Sequence, residues 1–122
     1  MKFLVIEDDA RVRRMIKTII ADSSDSVYEC SDGAQARASY AEHLPDWVLM
    51  DLMMPQVDGI TATIQIKSSF PAAKIIIVTS HESRVMREAA AQAGAFAYIL
   101  KENLLDLRGL INQTVCVSGL SN

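Results

Sequence analysis

Apolar residues in this chain fall into five short runs, separated by longer stretches where they recur every three or four positions. The runs are Phe3-Leu4-Val5-Ile6, Val27 to Cys30, Trp47 to Met50, Ile75 to Val78 and Ala95 to Leu100. The first, third and fourth are almost wholly apolar and rich in branched side chains, as strands covered on both faces are. The second carries Tyr28 and Glu29, which predicts an edge strand.

The intervening stretches read as helices. Val12, Met15, Ile16, Ile19 and Ile20 form an apolar stripe at helical spacing. Asp32 is placed to cap a second helix that runs through Gln35 and Tyr40 and stops before Pro45. A third spans about Ile60 to Ser69, ended by Pro71. A fourth is alanine-rich, about Ser83 to Ala93, with Gly94 placed to end it. The fifth follows Asn103 and puts Leu104, Leu107, Leu110 and Ile111 on one side. Strand and helix in strict alternation predict right-handed crossovers and a parallel sheet with helices on both faces.

The length of 122 residues suits one domain with one core, and half of those residues are hydrophobic. A net charge of −3 argues against a nucleic-acid surface. Arg11, Arg13 and Arg14 share the first predicted helix and read as solvated. Met1-Lys2 leads straight into a strand without the pattern of a secretory signal, and no apolar stretch approaches the length of a membrane span. Cys30 and Cys116 follow no metal-ligand spacing and read as small buried hydrophobes. A reducing cytoplasm is the expected location. The small, polar segment Val117 to Asn122 reads as a tail or the start of a linker.

The chemistry sits at the strand ends. Glu7 and Asp8 close the first run, Asp51 the third, Thr79 the fourth and Lys101 the fifth. Parallel α/β sheets bind ligands outside the carboxyl ends of their strands, so the fold would gather these residues on one rim. Carboxylates held together repel unless a cation or proton intervenes. Such a cluster, with a lysine beside it, suits a divalent metal and a phosphoryl group.

With these residues goes the run Asp51-Leu52-Met53-Met54-Pro55-Gln56-Val57-Asp58-Gly59, the pair Thr79-Ser80 and the aromatic Tyr98. Taken in order, the set resembles the receiver domain of bacterial two-component response regulators. The resemblance implies a flavodoxin-like, doubly wound five-stranded sheet in the order 2-1-3-4-5 with five helices, the receiver covering residues 1–116. It implies that Asp51 is the phosphoacceptor for a sensor histidine kinase. It makes Asp8, Asp51 and the backbone carbonyl of Met53 ligands of one Mg²⁺, with Glu7 acting through water. Lys101 would contact phosphoryl oxygens as a point charge and Thr79 would donate its hydroxyl to another. Thr79 and Tyr98 would form the switch. Such a chain catalyses only its own phosphorylation and dephosphorylation and is no enzyme toward other substrates. The implied output is an attached C-terminal helix-turn-helix DNA-binding domain or, alternatively, stand-alone action through protein contacts. A homodimer formed on phosphorylation through the fourth and fifth helices is compatible with either.

Three positions depart from the resembled pattern. Glu7 stands where Asp is more usual. Glu102 follows Lys101 where many receivers have proline, so a trans bond is expected there, the cis form costing about 2.5–4 kcal/mol for a non-proline residue. Met53 and His81 flank the site at positions that, in the family, tune phosphoryl lifetime. A phosphatase or phosphotransferase using an aspartyl-phosphate needs an acid/base carboxylate two residues after the nucleophile, where this chain has Met53. A receiver that binds partners without phosphorylation would not need the intact acidic set and Lys101.

Overall fold

The computed structural model describes residues 1–112. Each apolar run is a strand: β1 is Lys2–Ile6, β2 Ser26–Cys30, β3 Trp47–Asp51, β4 Ile75–Thr79 and β5 Ala97–Leu100. Helices α1 Ala10–Ile20, α2 Ala36–His43, α3 Gly59–Ser69 and α4 Arg84–Ala93 alternate with them. A fifth, α5, covers 106–112 at the limit of the described residues. The strands form one sheet in the order β2-β1-β3-β4-β5, every pair parallel, and β2 lies at an edge as its mixed pattern predicts.

Successive strand side chains alternate between two cores. Phe3, Val5, Trp47, Leu49, Ile76 and Val78 face Ile16 and Ile20 of α1 and Leu107 and Ile111 of α5. Leu4, Ile6, Val48, Met50, Ile75 and Ile77 face α2, α3 and α4, meeting Tyr40, Ala62, Ile66 and Ala90. Burial on both faces is why β1, β3 and β4 read as continuous apolar runs.

Polar side chains fix the helix starts. Asp9 accepts from the Arg11 N–H, Asp58 from Thr61 and Ser83 from Met86. Asp32 accepts from the Gln35 N–H and so caps a 3₁₀ turn, Gly33–Gln35, that leads into α2. Each such cap contributes about 1 kcal/mol.

Two local expectations are corrected. Met15 is 45% exposed, because it lies on the outer margin of a stripe centred on Ile16 and Ile20. Ala95 and Phe96 precede β5 rather than opening it. Gly94, at φ 100°, turns the chain out of α4, and the Ala95 N–H bonds back to the Ala90 carbonyl. After β5, a 3₁₀ turn at Lys101–Asn103 intervenes before α5. Among the described residues every peptide bond is trans, that after Lys101 included. The boundary at 116, Cys116 and the tail 117–122 lie outside the described residues.

Candidate functional site

Sheet register brings the chemistry to one rim. Ile6 pairs with Met50, Asp51 with Val78 and Thr79 with Leu100, so the ends of β1, β3, β4 and β5 come level. The strand order reverses between β1 and β3, and there Glu7 and Asp8 meet Asp51. One carboxylate oxygen from each of the three lies within 4.8 Å of the others. Glu7 and Asp51 are buried, while Asp8 is exposed. Lys101 reaches in from the end of β5, its Nζ 3.1 Å from Glu7 Oε1 and 3.4 Å from Asp51 Oδ1.

Three carboxylates face one ammonium in this pocket. Burial, then the neighbouring Asp51, pushes the Glu7 carboxyl up to about 8, against the pull of Lys101. Burial favours neutral Lys101, but its hydrogen bond to Glu7 and the charges of Asp51 and Glu7 outweigh that and hold its pKa above the usual value. Glu7 Oε2 is buried with no hydrogen-bond partner among the described residues. With both carboxylates ionised, Lys101 is shared between Glu7 Oε1 and Asp51 Oδ1, and Glu7 Oε2 is an acceptor facing Asp51 with nothing to donate to it. A proton or a divalent cation resolves that arrangement. All the donors are hard carboxylate oxygens, and Asp8 leaves one side open to water, which suits an ion that keeps several waters, as magnesium does.

Thr79 and Tyr98 meet at a shared backbone unit. Thr79 is fully buried and its Oγ1 accepts the His81 N–H at 3.2 Å. The Tyr98 hydroxyl donates to the His81 carbonyl at 2.7 Å. Tyr98 is thus turned inward, and burial raises its phenol above the usual value while the Arg87 charge opposes the shift. Met53 lies in the turn after Asp51 with its side chain exposed. Its carbonyl as a ligand rests on the resemblance alone.

Arg13 escaped the sequence reading. Arg13 is not solvated: Nη1 donates to the Glu7 carbonyl at 2.6 Å and Nε to Glu29 Oε1 at 3.2 Å, tying the acidic turn to the end of β2. Gly59 is needed because a side chain there would block the close approach of the turn. A Cβ there would stand 2.2 Å from the Asp51 carbonyl oxygen. Its own N–H bonds the Leu52 carbonyl at 2.9 Å, which folds the 52–58 turn under the acid. Gln56 takes a left-handed φ of 67° in that turn, unforeseen because no glycine marks it.

The chain is similar to known proteins. The family model described as the response regulator receiver domain matches residues 3–112. The chain is 42% identical over 101 residues to the chemotaxis protein CheY of Bacillus subtilis, covering 82% of this chain and 84% of that protein. It is 32% identical over 119 residues to the response regulator MprA of a Mycobacterium species, covering 93% of this chain but only 52% of that protein. The crystal structure of a LuxR-family two-component response regulator from an Aurantimonas species superposes with a TM-score of 0.86 at 30% identity, covering 94% of this chain and 84% of that one.

Proposed function

This chain belongs to the response regulator receiver domain family, and we propose that within it Asp51 accepts a phosphoryl group from a sensor histidine kinase, with Mg²⁺ held against Glu7, Asp8 and Asp51. The observation that carries this reading is the simultaneous approach of Lys101 Nζ to Glu7 and Asp51 inside a three-carboxylate cluster.

An Asp51 carboxylate oxygen attacks the phosphorus of a phosphohistidine or a small acyl phosphate. A P–O bond to Asp51 forms as the bond to the leaving group breaks, leaving an acyl phosphate on Asp51. Magnesium, when bound, offsets the carboxylate repulsion and the charge on the transferring group. Lys101 turns from the carboxylates toward the phosphoryl oxygens. Thr79 Oγ1 already accepts from His81, so its own hydrogen remains for a phosphoryl oxygen. The Met53 carbonyl would complete the ligand set, and Glu7 would act through water. The chain works on itself, with no other substrate to turn over.

The new charge draws Thr79 toward the phosphoryl group and vacates space that favours the inward Tyr98, whose hydroxyl donates to the His81 carbonyl. The face formed by α4, β5 and α5 carries the change to a partner as a shift between states. Our reading of the output is an attached DNA-binding domain; that the chain covers only half of MprA supports an attached further segment. The nearly full-length match to the chemotaxis protein favours a stand-alone receiver as the second reading. Whether the natural reading frame continues past Asn122 separates the two. We place the chain in the cytoplasm; no helix among the described residues is long and apolar enough to cross a membrane.

A phosphate-affinity gel after incubation with acetyl phosphate and Mg²⁺ tests the reading. A retarded band for wild type that is missing for Asp51→Asn supports it, and equal retardation of both refutes it.

A further inference from the structure

Tyr98 is enclosed by more than its hydroxyl bond. The Arg87 guanidinium carbon stands 4.5 Å from the centroid of the Tyr98 ring. Arg87 Nη1 donates to the Tyr98 carbonyl at 3.3 Å. Its Nη2 donates to both oxygens of Glu82, at 3.0 and 3.1 Å. Glu82 directly follows His81, whose carbonyl takes the Tyr98 hydroxyl. One guanidinium therefore touches the ring, the backbone of β5 and the loop that receives the phenol.

We propose that Arg87 is a positioning residue that latches Tyr98 inward, with Glu82 as its anchor, and so sets the resting population of the switch. The proposal rests on the reading of Tyr98 as the reporter of phosphorylation. An aromatic face attracts a cation, and a guanidinium lies flat on it better than an ammonium does. The Arg87–Glu82 pair is too exposed to hold much by itself, with side chains 45% and 61% exposed. Its work is orientation: it keeps the guanidinium over the ring while Nη1 holds the β5 carbonyl. To swing outward, Tyr98 must give up both the His81 bond and the cation. Loss of Arg87 should lower the ratio of inward to outward Tyr98 by about three- to tenfold, the size of a cation–aromatic contact at a partly exposed site.

The test uses the full chain labelled with 3-fluorotyrosine and read by fluorine NMR, the Tyr98 signal being assigned with Tyr98→Phe. No phosphoryl donor is added, so the outcome stands apart from whether Asp51 is the acceptor; adding acetyl phosphate and Mg²⁺ to wild type afterwards tests that separately. Arg87→Ala should move the Tyr98 signal toward that of a solvent-exposed tyrosine. Arg87→Lys should restore part of the shift, and Glu82→Gln should fall between wild type and Arg87→Ala. Thermal melting identifies any variant that fails to fold, and Glu82→Gln, which removes no group that touches the ring, then carries the test. A Tyr98 signal unmoved in folded Arg87→Ala overturns the proposal, as does an equal shift in the alanine and lysine variants.

Discussion

Lys101 Nζ lies 3.4 Å from Asp51 Oδ1 although β4 stands between their strands. The lysine side chain leaves the end of β5 and reaches past the end of β4 to Asp51 and to Glu7. In the absence of metal, Lys101 is the positive charge set against Glu7 and Asp51. Lys101→Met should destabilise the metal-free protein by about 1–3 kcal/mol, the range for a buried acceptor left unpaired. Mg²⁺ should recover most of that loss, since it supplies the missing charge. Phosphoryl transfer to Asp51 should remain slow, by roughly 100-fold, as when one preorganised charge-stabilising donor is removed. Denaturant melts with and without Mg²⁺, and rates with acetyl phosphate, check the two halves. Transfer at the wild-type rate contradicts the role given to Lys101.

Glu7 makes metal binding depend on pH. Its carboxyl is raised from 4.5 to about 8 in the fold, so between those values the native state holds a proton that the unfolded chain has released. The stability this proton gives is complete below about 4.5 and is lost as pH rises through about 8. Mg²⁺ must displace the same proton, which makes its binding stronger toward high pH. Lys101, raised above its usual value, stays charged throughout and cannot supply the change, while Asp8 and Asp51 face Glu7 as further acids. The rise in melting temperature on adding Mg²⁺ should therefore grow from pH 6 to pH 9 in wild type and be nearly flat in Glu7→Gln. A rise independent of pH in wild type would argue against a proton on Glu7.

Arg13 holds the acidic turn from behind. Its bond to the Glu7 carbonyl fixes the backbone that presents Glu7 and Asp8, and Glu29 keeps the guanidinium in place. Arg13→Ala should weaken Mg²⁺ binding by about 10-fold, the lower end for groups that orient metal ligands. Glu29→Gln should weaken it less. Calorimetric titration with Mg²⁺ measures both, and an unchanged affinity in Arg13→Ala removes Arg13 from the site.

Gly59 leaves room for the turn beneath Asp51. A methyl group 2.2 Å from the Asp51 carbonyl oxygen meets backbone, which cannot rotate away. Gly59→Ala should cost about 2–3 kcal/mol, as overpacking does, and should also impair phosphorylation by shifting Asp51. Gly109, where an added Cβ meets nothing within 4 Å, is the control: Gly109→Ala should be tolerated. Equal stability of the two variants would show that the 52–58 turn yields.

Much of this was written in local pattern. The unbroken apolar runs of β1, β3 and β4 announced burial on both faces, and Tyr28 and Glu29 marked β2 as an edge. A parallel sheet then carries every strand-terminal polar residue to one rim, which is why Glu7, Asp8, Asp51, Thr79 and Lys101 could be grouped before any coordinates. What stayed hidden depended on contacts between distant segments. Nothing near Arg13 in the sequence says that Glu29 will lie beside it, because that follows from β1 and β2 pairing in register. Likewise Arg87 reads as one more charge on an exposed helix until β5 brings Tyr98 under it. Ala95 and Phe96 misled because hydrophobicity cannot tell a strand from the turn that feeds one.

Peptide mapping by mass spectrometry after acetyl phosphate treatment most directly tests whether these residues form one phosphoryl-accepting pocket. The account predicts a single acyl phosphate on the peptide holding Asp51, formed with Mg²⁺ and absent when the metal is chelated. Label on any other residue, or label on Asp51 that needs no divalent ion, would contradict it.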